Sequence, residues 1–344
     1  MNTTTLLRDF GHIQDIPHDK IFVLVDEHTR MYCLPILLQA LSVPNEHIIC
    51  IPATDEHKDI SSLTTVWTTL SQQGATRQSL LVNLGGGMVT DLGGFAAATF
   101  KRGISFVNIP TTLLAMVDAA AGGKTGINLG GLKNEVGAFA PAEGIVIHTP
   151  FLRTLDRENI LSGYAEMLKH ALLHNEEMLT RHLTLDLDTL DEHTLETLIH
   201  ESMEVKAAIV ASDLHEQGPR KALNLGHTTG HALESLALEK HTPILHGYAV
   251  AWGLVGALYL STTRLHFPRQ TMYQVVQFVK EYYGTPGITC KDYDRFCALM
   301  QHDKKNDADH IRFTLLNGVG DIRINQAMSH DDILEMLDYL RENL

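Results

Sequence analysis

The chain holds 344 residues, 44% hydrophobic and 20% charged, which is ordinary for a soluble globular protein. At about 100–200 residues per domain, two domains are expected, each with an ample core. A formal charge of −14 argues against nucleic acid as the main partner, because a phosphate backbone demands clustered Lys and Arg; it leaves room for a small anionic substrate. The apolar runs are too short and too often broken by Gly to span a bilayer, so no membrane role is expected. The start, Met-Asn-Thr-Thr-Thr, lacks the basic and apolar regions of a signal peptide. Cys33, Cys50, Cys290 and Cys297 form no CxxC pair, and the simple inference is a reduced, cytoplasmic setting.

In chain order, residues 21–25, 48–52 and 79–84 are short apolar runs, separated by helix-like stretches over 31–41 and 63–73. Strand, helix, strand at this spacing predicts βαβ units and a parallel sheet, with further strands at 105–109 and 145–148. Beyond Phe151 the texture changes to long helical patterns over 160–174, 195–212, 222–238, 247–267 and 272–282. The expected division is a Rossmann-like α/β nucleotide-binding domain over residues 1–152, then a mostly α-helical metal-binding domain over 153–344.

The run over 79–84 ends in Gly85-Gly86-Gly87, followed by Met88-Val89-Thr90-Asp91 and two more glycines. A strand whose terminal glycines open a helix can turn backbone N–H groups and the helix dipole toward a phosphate. Thr90 stands where the third glycine of G-x-G-x-x-G belongs, so the match to a dinucleotide fingerprint is partial. Lys101-Arg102-Gly103, Gly122-Gly123-Lys124 and Gly131-Leu132-Lys133-Asn134 set cations beside glycines, the texture of an anion pocket. In the second half, Arg-Lys-Ala-Leu-Asn-Leu-Gly-His-Thr-Thr-Gly-His-Ala-Leu-Glu over residues 220–234 puts Asn224, His227 and His231 on one face of a predicted helix. Gly226 and Gly230 keep bulk away, and His246 follows soon after. Two imidazoles four residues apart, with a third nearby, predict a divalent metal site. Most of the 20 histidines, such as His12 and His18 or His193 and His200, read as solvated surface.

Taken together these segments resemble the 3-dehydroquinate synthase family. The resemblance runs in order through Gly-Gly-Gly-x-x-x-Asp-Leu-Gly-Gly-Phe-Ala-Ala-x-Thr (85–99), Arg102-Gly-Ile, and Ile-Pro-Thr-Thr-Leu-Leu-Ala-x-Val-Asp (109–118). It continues through Gly-Gly-Lys-Thr (122–125), Lys133-Asn134, Ser-Gly-Tyr-Ala-Glu-Met-Leu-Lys-His (162–170), residues 220–234, Leu-His-Gly (245–247) and Asp-Lys-Lys (303–305).

The resemblance implies an enzyme that uses NAD and a divalent metal, zinc or cobalt, on 3-deoxy-arabino-heptulosonate 7-phosphate in the shikimate route. NAD would oxidise C5, phosphate would leave by elimination, the hydride would return, and ring opening with aldol closure would give 3-dehydroquinate. The metal ligands it implies are Glu166, His227 and His246; His231, paired with His227 by spacing alone, moves to the substrate. NAD would meet Asp55, Lys58, Gly86, Gly87, Met88, Val89, Thr90, Asp91, Thr111, Thr112, Lys124, Lys133, Phe151 and Thr154. Asp55 replaces a Glu of the family's Glu-x-x-Lys segment, and Glu56 could compensate. Asp26, at the end of the first strand, is a further adenosine candidate, although strand-end Asp is commonly a turn residue. Substrate would meet Arg102, Asp118, Lys124, Asn134, Lys169, Lys206, Arg220, Asn224 and His231, with one of Lys304 or Lys305. Residue by residue, Lys206 and Arg220 read as surface charges. Tyr248 stands where many members carry Glu after His-Gly, which predicts altered hydrogen bonding around the metal rather than lost activity. A homodimer is expected. The alternatives are a sedoheptulose-7-phosphate cyclase and a metal-dependent dehydrogenase of the glycerol dehydrogenase type. The latter has no need of a cage of Lys and Arg around a leaving phosphate.

Overall fold

Apolar side chains that alternate between two buried layers build the first half of the molecule. The computed structural model describes residues 4–130, 132–301 and 311–344, and the chain divides into two compact units, Met1–Asp156 and Arg157–Leu344. In the first unit the elements run β1 (Thr5–Leu7), β2 (Ile21–Asp26), α1 (Glu27–Tyr32), α2 (Leu34–Ala40), β3 (Ile48–Ile51) and α3 (Ile60–Gln72). They continue with β4 (Leu80–Gly85), α4 (Gly87–Thr99), β5 (Ser105–Pro110), β6 (Lys124–Leu129), β7 (Leu132–Phe139) and β8 (Gly144–Val146). Six strands form a parallel sheet in the order β1-β8-β5-β4-β2-β3.

Phe22 and Leu24 pack with Leu63, Val66 and Leu92 on one face; Val23 and Val25 pack with Leu34, Leu37 and Phe151 on the other. This is the period-two signature of a sheet covered on both sides. β2 is followed by β3 on one side and by β4 on the other, so the carboxyl ends of β2 and β4 flank a topological switch point. Such points are where open α/β sheets bind ligands.

Two local readings change. The helix expected over 31–41 is broken at Cys33, because Pro35 lies in the first turn of a new helix and cannot continue the previous one. The glycine-rich stretch around Lys124 and Lys133 is an antiparallel hairpin, β6–β7, and not a set of loops. Gly126 and Gly137 face each other across it, and a Cβ on Gly137 would stand 2.2 Å from the Thr125 carbonyl oxygen.

The second unit contains α5 (Arg157–His174), α6 (Glu176–Thr184), α7 (Glu192–Ser212), α8 (His227–Glu239), α9 (His246–Arg264), α10 (Arg269–Tyr283) and α11 (Tyr293–Gln301). A hairpin, β9 (Ile311–Gly318) with β10 (Asp321–Met328), and α12 (His330–Asn343) complete it. α9 is apolar all round and sits in the middle, packed by α5, α8, α10, α12 and β9. No helix among the described residues is long and apolar enough to cross a membrane.

Deep in this unit, His182 of α6 is fully buried with its Nδ1 2.9 Å from the Tyr164 hydroxyl of α5. Burial, helped by Arg181, pushes the imidazole pKa down to about 4. That value lies below the ordinary unfolded one of about 6.5, so the neutral ring contributes fully above that pH and progressively less as pH falls toward 4. Urea unfolding should therefore show a loss of up to about 3 kcal/mol over this window. A His182→Gln variant should lack that part of the slope; an unchanged slope would contradict the assignment.

Candidate metal centre and nucleotide-binding turn

Three helices of the second unit deliver the candidate metal ligands. α5 carries Glu166, while His227 and His246 are the first residues of α8 and α9. The Nε2 atoms of both histidines lie 3.5 Å from Glu166 Oε1. Donors bound at about 2.0–2.2 Å to a tetrahedral ion stand roughly 3.4 Å apart, so the spacing suits such an ion. Glu166 is fully buried; its Oε2 is in ionic contact with Lys169, and its Oε1 faces the two imidazoles. One carboxylate oxygen converging with two imidazole nitrogens is a donor set that fits a divalent cation.

The other ring nitrogens are engaged. His227 Nδ1 stands 3.2 Å from the Leu225 carbonyl oxygen, and His246 Nδ1 stands 3.1 Å from Glu234 Oε2. With a proton on each Nδ1, both Nε2 lone pairs turn toward Glu166.

Electrostatics follow from burial and close charges. Burial would raise the Glu166 carboxyl, but Lys169, then His227 and His246, hold it well below the usual range. Burial, followed by Lys169, holds His227 far below an ordinary histidine, and so neutral. Burial also disfavours charge on His246, yet Glu234 and then Glu166 outweigh it and push the pKa up to about 10. A metal ion held by His246 Nε2 would displace that proton.

Close main-chain contact brings the helices together. A Cβ on Gly247 would lie 1.9 Å from the Ser162 carbonyl oxygen, and the Gly247 N–H donates to Ser162 Oγ at 3.0 Å. Gly226, with φ of 79°, caps α8; a Cβ there would meet the Leu254 nitrogen at 2.9 Å. What approaches these glycines is therefore the backbone of neighbouring helices. The left-handed cap also corrects the expected helix over 222–238. Asn224 ends a separate 3-10 turn, Pro219–Asn224, and does not share the helical face of His227 and His231.

Lys206 and Arg220, the cations read as surface, are interior, as is Lys169. Lys169 is 1% exposed, Arg220 2% and Lys206 5%. Lys169 is in ionic contact with Glu166. The turn bearing Arg220 and Asn224 packs on α5 and on α7, which bears Lys206. Arg220 donates to the Leu214 carbonyl at 2.7 Å, and Asn224 Nδ2 donates to Glu216 Oε1 at 2.7 Å. His231 is exposed, its ring edge-on to His227 with centroids 5.3 Å apart. Tyr248 packs into an aromatic cluster with Tyr283 at 5.2 Å and Trp252 at 6.0 Å. Lys304 and Lys305 lie outside the described residues. The sequence reading passed over Glu216 and Glu234. Glu234 follows His227 by two helical turns and His231 by one, a spacing that would have found it.

In the first unit, Gly86 caps α4 directly after β4. A Cβ on Gly86 would come within 3.0 Å of Thr112, and the Thr111 N–H donates to the Gly85 carbonyl at 3.0 Å. The absence of a side chain at Gly86 thus lets Thr112 pack against the turn, and the first N–H groups of α4 are of the kind that meet a phosphate. Thr90 turns inward, its hydroxyl donating to the Gly87 carbonyl at 3.2 Å. The close helix–strand packing that the missing third glycine would allow is supplied by Gly93, where a Cβ would strike Asn83 of β4 at 2.0 Å.

Lys58 is buried between Asp91 at 3.2 Å and Asp55 at 3.4 Å, and Lys133 reaches Asp55 at 3.5 Å. Burial raises the Asp91 carboxyl, against the opposing pull of Lys58. Asn128 ties this group to the hairpin: its Nδ2 donates to the Asp55 carbonyl, and its Oδ1 accepts from the Asn134 N–H, both at 2.9 Å. Asp26 caps α1, accepting from the Thr29 N–H at 2.7 Å. Phe151 belongs to the core, and Thr154 donates back to its carbonyl at 3.2 Å. Arg102 is exposed with φ of 69°, Asp118 lies in the turn Ala115–Ala119, and Lys124 is exposed at the start of β6.

Two family models match the chain: 3-dehydroquinate synthase N-terminal over residues 48–162 and 3-dehydroquinate synthase C-terminal over 163–306. A 3-dehydroquinate synthase of Parabacteroides distasonis is 52% identical over 337 residues, 98% of this chain and 95% of the relative. Among solved structures, a 2-deoxy-scyllo-inosose synthase complexed with carbaglucose-6-phosphate, NAD+ and Co2+ has a TM-score of 0.83 at 23% identity, covering 99% of this chain and 96% of that one. A 2-epi-5-epi-valiolone synthase from Streptomyces hygroscopicus with NAD+ and Zn2+ bound has a TM-score of 0.82 at 23% identity, with the same coverage. These two likenesses establish the fold.

Proposed function

The chain belongs to the 3-dehydroquinate synthase family, and on that footing we propose how its residues divide the work. It is an enzyme dependent on NAD and a divalent metal ion, and it converts 3-deoxy-arabino-heptulosonate 7-phosphate to 3-dehydroquinate and phosphate. When bound, NAD supplies reversible hydride chemistry at C5, and the cation supplies Lewis acidity to the oxygen there. With C5 a ketone, the proton on C6 becomes acidic and phosphate can leave; once C5 is reduced again, ring opening and aldol closure follow.

We assign NAD to the unit Met1–Asp156. The Gly86–Gly87 turn and the α4 N-terminus through Asp91 take the pyrophosphate. Asp55 and Lys58 take a ribose, and Thr111, Thr112, Lys124, Lys133 and the Phe151 to Thr154 backbone add contacts. Glu166, His227 and His246 of the second unit hold the metal. Lys169 keeps Glu166 ionised. Lys206 and Arg220 bind the anionic groups of the substrate, while Asn224 and His231 orient the leaving phosphate. Arg102, Asp118, Lys124 and Asn134 are assigned to substrate as well. What supports this reading most is one observation: a buried carboxylate and two Nε2 atoms 3.5 Å from it, in a unit whose Lys169, Lys206 and Arg220 are also buried.

We also propose a homodimer, supported by the exposed apolar Leu129, Leu132, Val136 and Phe139 of the β6–β7 hairpin. A cytoplasmic location agrees with four free cysteines.

Purified protein given the heptulosonate phosphate, catalytic NAD and zinc or cobalt should release phosphate without net NADH, and a chelator should stop it. Turnover of sedoheptulose 7-phosphate instead would make the chain a different cyclase. NADH accumulating without phosphate would make it a dehydrogenase.

A further inference from the structure

We propose that Glu234 is the positioning residue of the metal centre: it fixes the tautomer and ring orientation of His246 so that Nε2 is the atom offered to the cation. The inference rests on the reading of Glu166, His227 and His246 as ligands. The two histidines are oriented by different means. His227 leans on a main-chain acceptor, the Leu225 carbonyl at 3.2 Å, which no substitution of a side chain removes. His246 opens α9 with its side chain 28% exposed, and its Nδ1 meets a carboxylate from another helix, Glu234 Oε2 at 3.1 Å.

An imidazole alone prefers its proton on Nε2, the tautomer that blocks coordination there. An acceptor at Nδ1 reverses that preference, and a charged one also makes the opposite nitrogen a stronger donor to a metal. Glu234 is placed for this task. Its side chain is 10% exposed, it sits two turns along α8 from His227, and α8 and α9 are packed together. Glu166 and Glu234 thus address opposite nitrogens of one ring, the first from the ligand side and the second from behind.

One competing role is visible. His231, Glu234 and His246 offer ligand atoms within 4.8 Å of one another, as do Glu166, His227 and His246. If Glu234 were itself a ligand, the wild type would take a second ion. The positioning role predicts a single ion, held more weakly when Glu234 is lost.

The test is Co2+ titration of the metal-stripped full-length chain, followed by the visible cobalt spectrum, in wild type, Glu234→Gln and Glu234→Ala. Glu234→Ala should bind cobalt about 10–100-fold more weakly and with an altered ligand-field spectrum. Glu234→Gln, whose amide oxygen still accepts from Nδ1, should fall between. Both variants should melt with the metal-free wild type, and saturating metal should restore most of the turnover of Glu234→Ala. Equal cobalt affinity in all three proteins would overturn the inference, and so would two ions per wild-type chain. So would a fall in metal-free melting temperature that accounts for the lost affinity. A wild type that binds no divalent ion would overturn the ligand assignment, and the inference with it.

Discussion

Glu166→Gln should abolish tight metal binding and slow phosphate release by at least about 10³-fold, on the scale of losing a principal electrostatic stabiliser. The amide is nearly isosteric, so the effect isolates charge. Its second consequence is structural. Glu166 and Lys169 sit one helical turn apart on α5 with side chains 0% and 1% exposed. Removing one partner of a buried pair leaves the other charged without that counter-ion, at a cost of about 3–5 kcal/mol. The metal-free variant should therefore unfold well before metal-free wild type. Adding Lys169→Met should recover much of that stability without restoring metal or activity. Metal content by elemental analysis and paired denaturant curves decide the matter; a variant that keeps its metal would remove Glu166 from the ligand set.

Gly247→Ala should rank with it, although no functional group is touched. The added Cβ would lie 1.9 Å from the Ser162 carbonyl oxygen and 2.4 Å from its carbon, and both are main-chain atoms of α5. Ordinary contact requires about 3.5 Å, so α9 has to move away from α5 by an ångström or more. Overpacking of this kind costs typically ~1–3 kcal/mol, and a clash with backbone lies at the top of that range or above. The displacement also carries His246, the preceding residue, away from Glu166. Cobalt affinity should fall along with the denaturant midpoint. Gly230→Ala is the milder control, since its Cβ would meet the Ala249 carbonyl oxygen at 3.0 Å. If Gly247→Ala melts and binds metal like wild type, the contact between α5 and α9 is not what sets the ligand spacing.

The parallel sheet was legible because its strands are buried on both faces and read as unbroken apolar runs: 21–25, 48–52, 79–84 and 105–109 all fall on strands. The β6–β7 hairpin was not, for a physical reason. A hairpin that relies on facing glycines, as at Gly126 and Gly137, looks like loop in a pattern of residue types. The histidine spacing pointed to a candidate metal centre but not to its carboxylate. Glu166 approaches from another helix, and periodicity within one segment carries no information about that partner; only the resemblance supplied it. Periodicity also ran Asn224 into the helix, because it does not register the left-handed turn at Gly226 that separates them. Lys206 and Arg220 looked like surface because burial of a charge is a property of what surrounds it.

The helix-to-helix glycine contacts have a consequence for how the protein tolerates change. The spacing between Glu166 and the two imidazoles is gauged by main chain touching main chain, at Gly247 against Ser162 and at Gly226 against Leu254. Side-chain volumes do not enter that gauge. Repacking the core around α9 with other aliphatic residues should lower stability by the usual increments while metal affinity stays where it was. Stability and ligand geometry are thus separable quantities in this unit, open to independent drift over generations of sequence change.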